Sequence, residues 1–281
     1  MINVKQYKSA LDRHNALAMA KLSKLVYSDT DTKNKKPHET YILQQLKTND
    51  SGYRNVTGYD RNTAQAMLVE HESFIAVVFR GTDEIGDWVD NLKAFAVSAL
   101  FGDFHRGFYE SLDDIWSEME KDLNGLKQAI VKDSNGTKHR RPIFFAGHSL
   151  GGAMATIAAA KYINEDKQFT AVYTYGQPRA MTRSTARIFN AEAKNRLHRF
   201  QNNEDIVTRV PARVMNYSHV GQCCYIDADG QIHTDPGFWF RFMDYIEGAV
   251  DSLKKMTNLG AVDDHDIDKY IAAVEKWDYD E

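Results

Sequence analysis

Between Val4 and Tyr27 the apolar residues Leu11, Ala18, Leu22 and Leu25 recur at helical spacing, which predicts an amphipathic helix. The polar run SDTDTKNKKPHE that follows predicts a loop. Two segments rich in β-branched or apolar residues, AQAMLVE and FIAVVF, flank the short polar HES and predict a hairpin. A helix is expected from Phe108 to about Val131, then a basic loop, KDSNGTKHRRP. Beyond it the pattern alternates: strand Ile143 to Ala146, helix Gly152 to Tyr162, strand Ala171 to Tyr175, helix Arg183 to Ala193, strand Leu197 to Gln201. That alternation predicts an α/β fold with a central, mostly parallel sheet, helices on both faces, and the antiparallel hairpin on its N-terminal side. No internal repeat interrupts it, and a single domain over residues 1–281 is expected.

The sharpest local feature is IFFAGHSLGGAMATIAAA, Ile143 to Ala160. Gly147-His148-Ser149-Leu150-Gly151 fits GxSxG, a turn from strand into helix so tight that its serine projects from the sheet edge. The glycines avoid clashes in that turn, and the small residues after it let the helix pack closely on the sheet. A serine hydroxyl is a weak nucleophile at neutral pH and needs a base, itself oriented by a carboxylate. In this architecture the order is serine, acid, histidine, with the acid on a loop after a later strand. LHRFQNNEDIVTRVP supplies a strand and then Glu204 and Asp205; Asp205 is the acid expected, with Glu204 as the second choice. Three histidines follow. His219 lies in a strand pattern suited to a structural role, His233 in a turn-rich stretch, and His265 in an acidic loop before a short C-terminal helix. Oxyanion donors are also required. The Leu150 amide is one; the loop after FIAVVF, Arg80-Gly81-Thr82, offers Thr82 as the second.

Composition narrows the function classes. Hydrophobic residues make up 43% and charged residues 26%, as in a soluble globular protein, and a net charge of -4 gives no general attraction for nucleic acid. No apolar run approaches the ~20 residues needed to span a bilayer. The opening MINVKQYKSALDRHN is polar where a signal peptide is apolar, so a cytoplasmic location or export by an unseen route is expected. Cys223 and Cys224 are neighbours and cannot staple distant parts of the fold, which points to a reducing compartment. No GxGxxG, Walker lysine or HExxH pattern occurs, so neither cofactor nor metal is expected.

Taken in order, several pieces resemble the class 3 lipases, the fungal-lipase-like branch of the α/β-hydrolases. They are the apolar spacing within Leu17 to Tyr27, VVFRGTD at Val77 to Asp83, DWVDNL at Asp87 to Leu92, HRGF at His105 to Phe108, and GHSLGGAMA at Gly147 to Ala155. TYGQPR at Thr174 to Arg179, NNEDIVTRVP at Asn202 to Pro211, YSHVG at Tyr217 to Gly221 and DDH at Asp263 to His265 complete the set. The resemblance implies Ser149, Asp205 and His265 as a triad, with Thr82 and Leu150 as the oxyanion hole, and a structural role for His219. It also implies a lid at residues 92–104, where Phe95, Val97, Leu100 and Phe101 would cover the serine; a fixed element packed on the core is the alternative. Trp239 and its aromatic neighbours Phe238, Phe240 and Phe242 are candidate acyl contacts, with aromatic residues of a buried helix as the alternative, in a stretch without a family counterpart. The extracellular fungal members carry disulfides; this chain has no separated cysteine pair.

The function expected is hydrolysis of a lipid-type carboxylic ester at a lipid–water interface. A phospholipase A1 or a feruloyl-type esterase on the same scaffold is the alternative. A catalytically silent lipid- or protein-binding relative is the third, and the complete set of serine, acid, histidine and donors argues against it.

Overall fold

The N-terminal periodicity folds as α1, Arg13–Leu25, capped by the Asp12 side chain, which accepts from the Asn15 amide at 2.9 Å. The structure, a computed structural model, describes residues 4–29, 35–82, 95–132, 136, 138–203, 205–237 and 265–278. A second helix, α2 (Glu39–Asn49), and strand β1 (Tyr53–Arg61) come next. Sequence periodicity misses both for a physical reason: α2 buries only Ile42 and Leu46, and β1 exposes four of its nine residues without regular alternation. The expected hairpin is present as β2 (Ala64–His71) and β3 (Ile75–Phe79), antiparallel, with Leu68 opposite Val77.

Further along lie β4 (Ala96–Ala99), β5 (Gly102–His105), α3 (Arg106–Gln128), β6 (Ile130–Lys132), β7 (Lys138–Arg140), β8 (Ile143–His148) and α4 (Leu150–Asn164). They are followed by β9 (Ala171–Tyr175), β10 (Met181–Thr182), α5 (Arg183–Ala193), β11 (Leu197–Asn202), β12 (Tyr217–Ser218), β13 (Gln222–Ile226), β14 (Ile232–Thr234) and α6 (Ile267–Lys276). The helix predicted to reach Val131 stops at Gln128, and Val131 joins the small β6–β7 hairpin instead. The predicted YSHVGQCCYI strand is broken in two, because Gly221 takes φ 75° between β12 and β13.

The main sheet has eight strands in the order β1-β2-β3-β8-β9-β11-β13-β14. From β3 to β13 all pairings are parallel; β1, β2 and β14 are antiparallel additions at the two sides. Alternation along each strand feeds two cores. Ile75, Val77 and Phe79 of β3 and Ile143 and Phe145 of β8 face α3 and α4, while Ala76, Val78, Phe144 and Ala146 face α1, α2 and α6. Two-sided burial explains why β3 and β8 read as continuous apolar runs. α4 is buried nearly end to end, and its glycines and alanines let it lie close to the sheet.

A second sheet, ordered β12-β10-β5-β4, sits beside the main one. Its β4–β5 hairpin is the described part of the segment expected to form a lid. Val97 pairs with Phe104, Phe104 pairs in turn with Met181 of β10, and Leu100 and Phe101 pack against the α3–α4 core. Phe95, just before it, is 61% exposed. Residues 92–94, the DWVDNL motif and Trp239 with its aromatic neighbours lie outside the described residues.

Several histidines are buried in a neutral form. His198 is enclosed with Nε2 3.0 Å from the Ser9 carbonyl, and His71 stacks on Phe74 with ring centroids 4.5 Å apart. Burial lowers the pKa of both, against the pull of Asp50 on His71. The unfolded chain therefore binds protons that the folded one refuses. Stability should be complete above the ordinary histidine pKa and fall as the pH drops below it, by up to ~1.4 kcal/mol per pH unit for each histidine held neutral. Urea unfolding at a series of pH values measures this, and His198→Gln should flatten the slope.

Packing at the α4 end gives a second expectation. A Cβ on Gly151 would lie 2.7 Å from the Phe79 carbonyl carbon and 2.9 Å from that of Arg80, both backbone atoms that cannot swing aside. Gly151→Ala should cost roughly 1–3 kcal/mol or more, read as a lower urea midpoint.

Candidate active site

The parallel strands β8, β9 and β11 all end at one edge of the main sheet, and the predicted site residues gather there. Strand β8 turns into α4 through Ser149, whose backbone lies at φ 58° and ψ -132°. The Ser149 amide donates to the Tyr175 carbonyl at 2.9 Å, tying the turn to the end of β9. Ser149 is the N-cap of α4, a position where a serine hydroxyl ordinarily bonds a first-turn amide; here the side chain makes no capping bond. Its Oγ is fully buried and has no hydrogen-bond partner among the described residues. Leu150 follows as the first residue of α4, where helix amides have no intrahelical acceptor.

Strand β11 ends in the loop carrying Asp205, a completely buried carboxylate. Oδ1 accepts from the Val207 amide at 2.9 Å. Oδ2 lies 2.8 Å from His265 Nδ1, so the ring proton sits on Nδ1 and donates to the carboxylate. Oδ2 accepts a second, short bond from the Tyr270 hydroxyl, which in turn accepts from the Asn202 amide at 3.1 Å. With Nδ1 protonated, Nε2 of His265 is the basic nitrogen, and like Ser149 Oγ it is buried without a hydrogen-bond partner among the described residues. Glu204 lies outside the described residues.

Space around the pair is tight. Gly176 takes φ 60°, and a Cβ there would sit 2.8 Å from Asp205 Oδ2, His265 Cε1 and His265 Nδ1. A Cβ on Gly81 would lie 2.8 Å from that of Ser149, which places the Arg80-Gly81-Thr82 loop directly against the elbow. Arg80 anchors this loop: its buried guanidinium lies 3.0 Å from Asp29 and over the ring of Tyr27, 5.1 Å from the centroid. Thr82, half-buried, ends the described part of this loop, next to Gly81.

Two residues that sequence reasoning left aside join these segments. The Gly81 amide donates to the Tyr27 hydroxyl at 3.0 Å, and Tyr27 Oη lies 2.9 Å from His148 Nδ1. On the far side of that ring, His148 Nε2 is 2.6 Å from the carbonyl oxygen of His265. Since a carbonyl only accepts, His148 donates from Nε2 and accepts the Tyr27 proton at Nδ1. Burial first, and the adjacent His265 ring second, hold the His148 pKa well below its ordinary value, so the bridging ring is neutral. His219 lies elsewhere: its Nε2 is 2.7 Å from the Thr208 carbonyl, and Thr208 Oγ1 donates to the Asp205 carbonyl at 2.8 Å. It braces the acid loop from its own side, while His265 takes the carboxylate.

Other matched motifs resolve into supports. His105 of HRGF caps α3 and stacks on Phe108 with centroids 3.9 Å apart. In TYGQPR, Gln177 accepts from Thr156 Oγ1 at 2.9 Å, and Arg179 donates to the carbonyls of Arg209 and Pro211. Helical spacing places Tyr270 on the same buried face as Ile267, Ile271 and Val274, and a buried tyrosine hydroxyl needs a partner; that was the available signal for it. Tyr27 and His148 had no such signal, because their partners lie 121 and 117 residues away.

A family profile described as lipase (class 3) matches residues 76–215. The secreted mono- and diacylglycerol lipase A of Penicillium cyclopium is 27% identical over 164 residues, covering 57% of this chain and 50% of the relative. The secreted mono- and diacylglycerol lipase 1 of Fusarium solani is 32% identical over 157 residues, covering 54% and 44%. Among solved structures, the native Rhizomucor miehei lipase propeptide complex superposes with a TM-score of 0.54 at 26% identity, over 62% of this chain and 57% of that one. The chain thus spans about half the length of the curated relatives it matches. On the profile, these relatives and the superposition, the chain belongs to the class 3 lipase family and has the α/β-hydrolase fold.

Proposed function

We propose that the protein hydrolyses carboxylic esters of lipids through an acyl-enzyme formed on Ser149. One observation carries the proposal. At the sheet edge where Asp205 and His265 form a buried pair 2.8 Å apart, the serine hydroxyl and the second imidazole nitrogen are left with unspent hydrogen-bonding capacity. A capping serine and a satisfied core histidine would each have used it.

In this reading His265 Nε2 takes the Ser149 proton as Oγ attacks the ester carbonyl, and the imidazolium is stabilised by Asp205 without proton transfer to the carboxylate. The oxyanion is met by the Leu150 amide and by Thr82 on the loop packed against the elbow. His265 then returns the proton to the leaving alcohol, and water, deprotonated by the same nitrogen, releases the acid. Tyr270 holds Asp205 in the orientation that accepts from Nδ1. The relatives, mono- and diacylglycerol lipases, support a lipid ester as the substrate class.

Ser149 and His265 are both fully buried, so an ester reaches the serine only after a covering segment moves. A cover that opens at a lipid surface gives activity on an emulsified ester that rises steeply above its solubility limit; a smooth hyperbola through that limit would count against it.

The chemistry is tested with p-nitrophenyl esters of increasing chain length. Ser149→Ala should abolish turnover, and Asp205→Asn should lower kcat by roughly 10⁴ with little change in KM, since the amide leaves His265 in the wrong tautomer. If Ser149→Ala hydrolyses every ester as fast as the wild type, the proposal fails; a preference for short chains would move the assignment from lipase to esterase. Tyr270→Phe should lower kcat while leaving KM near its starting value, a split that a loss of folded protein would not produce.

A further inference from the structure

Three segments that ester hydrolysis needs meet at one side chain that the chemistry itself does not use. His148 precedes Ser149 in the elbow, and its imidazole is buried. Nδ1 accepts from Tyr27 Oη at 2.9 Å, and Nε2 donates to the His265 carbonyl at 2.6 Å. Tyr27 Oη in turn accepts from the Gly81 amide at 3.0 Å. One end of this chain of bonds is therefore the loop that carries Thr82, and the other is the backbone of the base. The His148 ring also lies against that of His265, with centroids 4.5 Å apart and planes inclined at 34°.

Both ends are anchored. Tyr27 lies just past the end of α1, its amide bonded to the Lys24 carbonyl at 3.2 Å and its ring held against the Arg80 guanidinium. His265 lies just before α6. The two helices hold each other: Lys24 pairs with Asp268 at 2.6 Å, Lys21 with Glu275 at 2.8 Å, and Ala16, Met19, Tyr270 and Val274 share one core. An imidazole is rigid and presents its two nitrogens in one plane, so a displacement at either end of the bridge is passed to the other. The bond to Tyr27 also decides where the Gly81 amide points. It is spent on the tyrosine and cannot meet an oxyanion, which leaves that part to Thr82. A histidine that served packing alone would be satisfied by any two buried partners. The partners here lead to the oxyanion loop on one side and to the base on the other.

We propose that Tyr27 and His148 are positioning residues: through one ring they set the oxyanion loop and His265 relative to each other, so that both are in place together or neither is. The proposal rests on the ester-hydrolase reading, and Ser149→Ala, measured alongside, separates the two. Misplacing a reacting group by about 1 Å can cost ~10² in rate. Tyr27→Phe removes one oxygen, while His148→Gln keeps a donor for the His265 carbonyl and loses the acceptor for Tyr27. Each is expected to lower kcat on a p-nitrophenyl ester by ~10- to 100-fold, with KM changed less than about twofold. The double variant distinguishes a bridge from two separate supports. Bonds in series are broken only once, so it should match the slower single variant within about threefold, whereas independent supports would multiply their losses. Either single variant at the wild-type kcat, a loss carried by KM or by the melting midpoint alone, or a double loss equal to the product of the singles would each overturn the proposal. If His148→Gln fails to fold, Tyr27→Phe decides by its own kcat and KM, since it takes one oxygen from a half-buried ring. Ester hydrolysis by Ser149→Ala at the wild-type rate would strike the reading of the active site instead. An inactive Ser149→Ala beside bridge variants of wild-type rate would strike the bridge alone.

Discussion

Ser149 holds a backbone conformation, φ 58° with ψ -132°, that residues with a side chain rarely adopt, and much of the molecule is arranged to keep it there. Such a conformation costs about 1–3 kcal/mol and persists only where its surroundings over-determine it. They do so through close approach. Gly147, Gly151 and the backbone of Phe79 and Arg80 touch where no Cβ would fit, and the Ser149 amide is bonded to the end of β9. A helix that must begin at once, against a sheet that lies almost in contact with it, has room only for small residues. The same constraint explains both the two glycines after the serine and the run of alanines in α4.

With the elbow fixed, the remaining groups are brought to it by three segments distant in sequence. Asp205 arrives on the loop after β11, His265 on the turn before α6, and Gly81 on the loop after β3. Each is tied to another by a buried or part-buried hydrogen bond. Tyr270 and the Val207 amide saturate the carboxylate that His265 engages. Tyr27 and His148 link the Gly81 amide to the His265 carbonyl. A neutral ring suits that bridge, because it donates on one side and accepts on the other. A protonated one would donate on both sides and leave the Tyr27 hydroxyl, already accepting from Gly81, to accept again. The depression of the His148 pKa and the direction of the hydrogen bonds are thus one fact seen twice.

How much of this could be read from the sequence follows from how local each determinant is. The elbow was legible because strand, turn and helix lie within 18 consecutive residues, and β2–β3 because a polar triplet separates two apolar runs. The helix α5, Arg183–Ala193, matched its predicted bounds, its buried face being cleanly periodic. β1 was not legible: it is an outer strand of the sheet, with a burial pattern that breaks alternation at a bulge between Tyr53 and Asn55. Asp205 and His265 were reachable by chain order, which is a rule about topology. Tyr27 and His148 were beyond reach, because nothing in a lone tyrosine or histidine names its partner before the fold has closed; Tyr270 was legible as a buried position on α6, but its partner was not.

Net charge is the clearest case of a sequence-level quantity that averages away the physics. A total of -4 gives no attraction for anionic surfaces, and that inference is sound for the molecule taken as a whole. Yet charges act over about a Debye length, ~8–10 Å in ordinary salt, so what a surface meets is the local sum. Some of the acidic residues that set the total are spent on ion pairs elsewhere: Asp113 with Lys161, Glu120 with Lys167, Glu70 with Arg141 and Asp268 with Lys24. Along the acid loop the guanidinium groups of Arg179, Arg183 and Arg199 are instead spent on backbone and amide oxygens, which satisfy their hydrogen bonds without neutralising their charge. That distinction between a satisfied donor and a compensated charge is lost in a net charge, and only the hydrogen-bond partners of each group recover it.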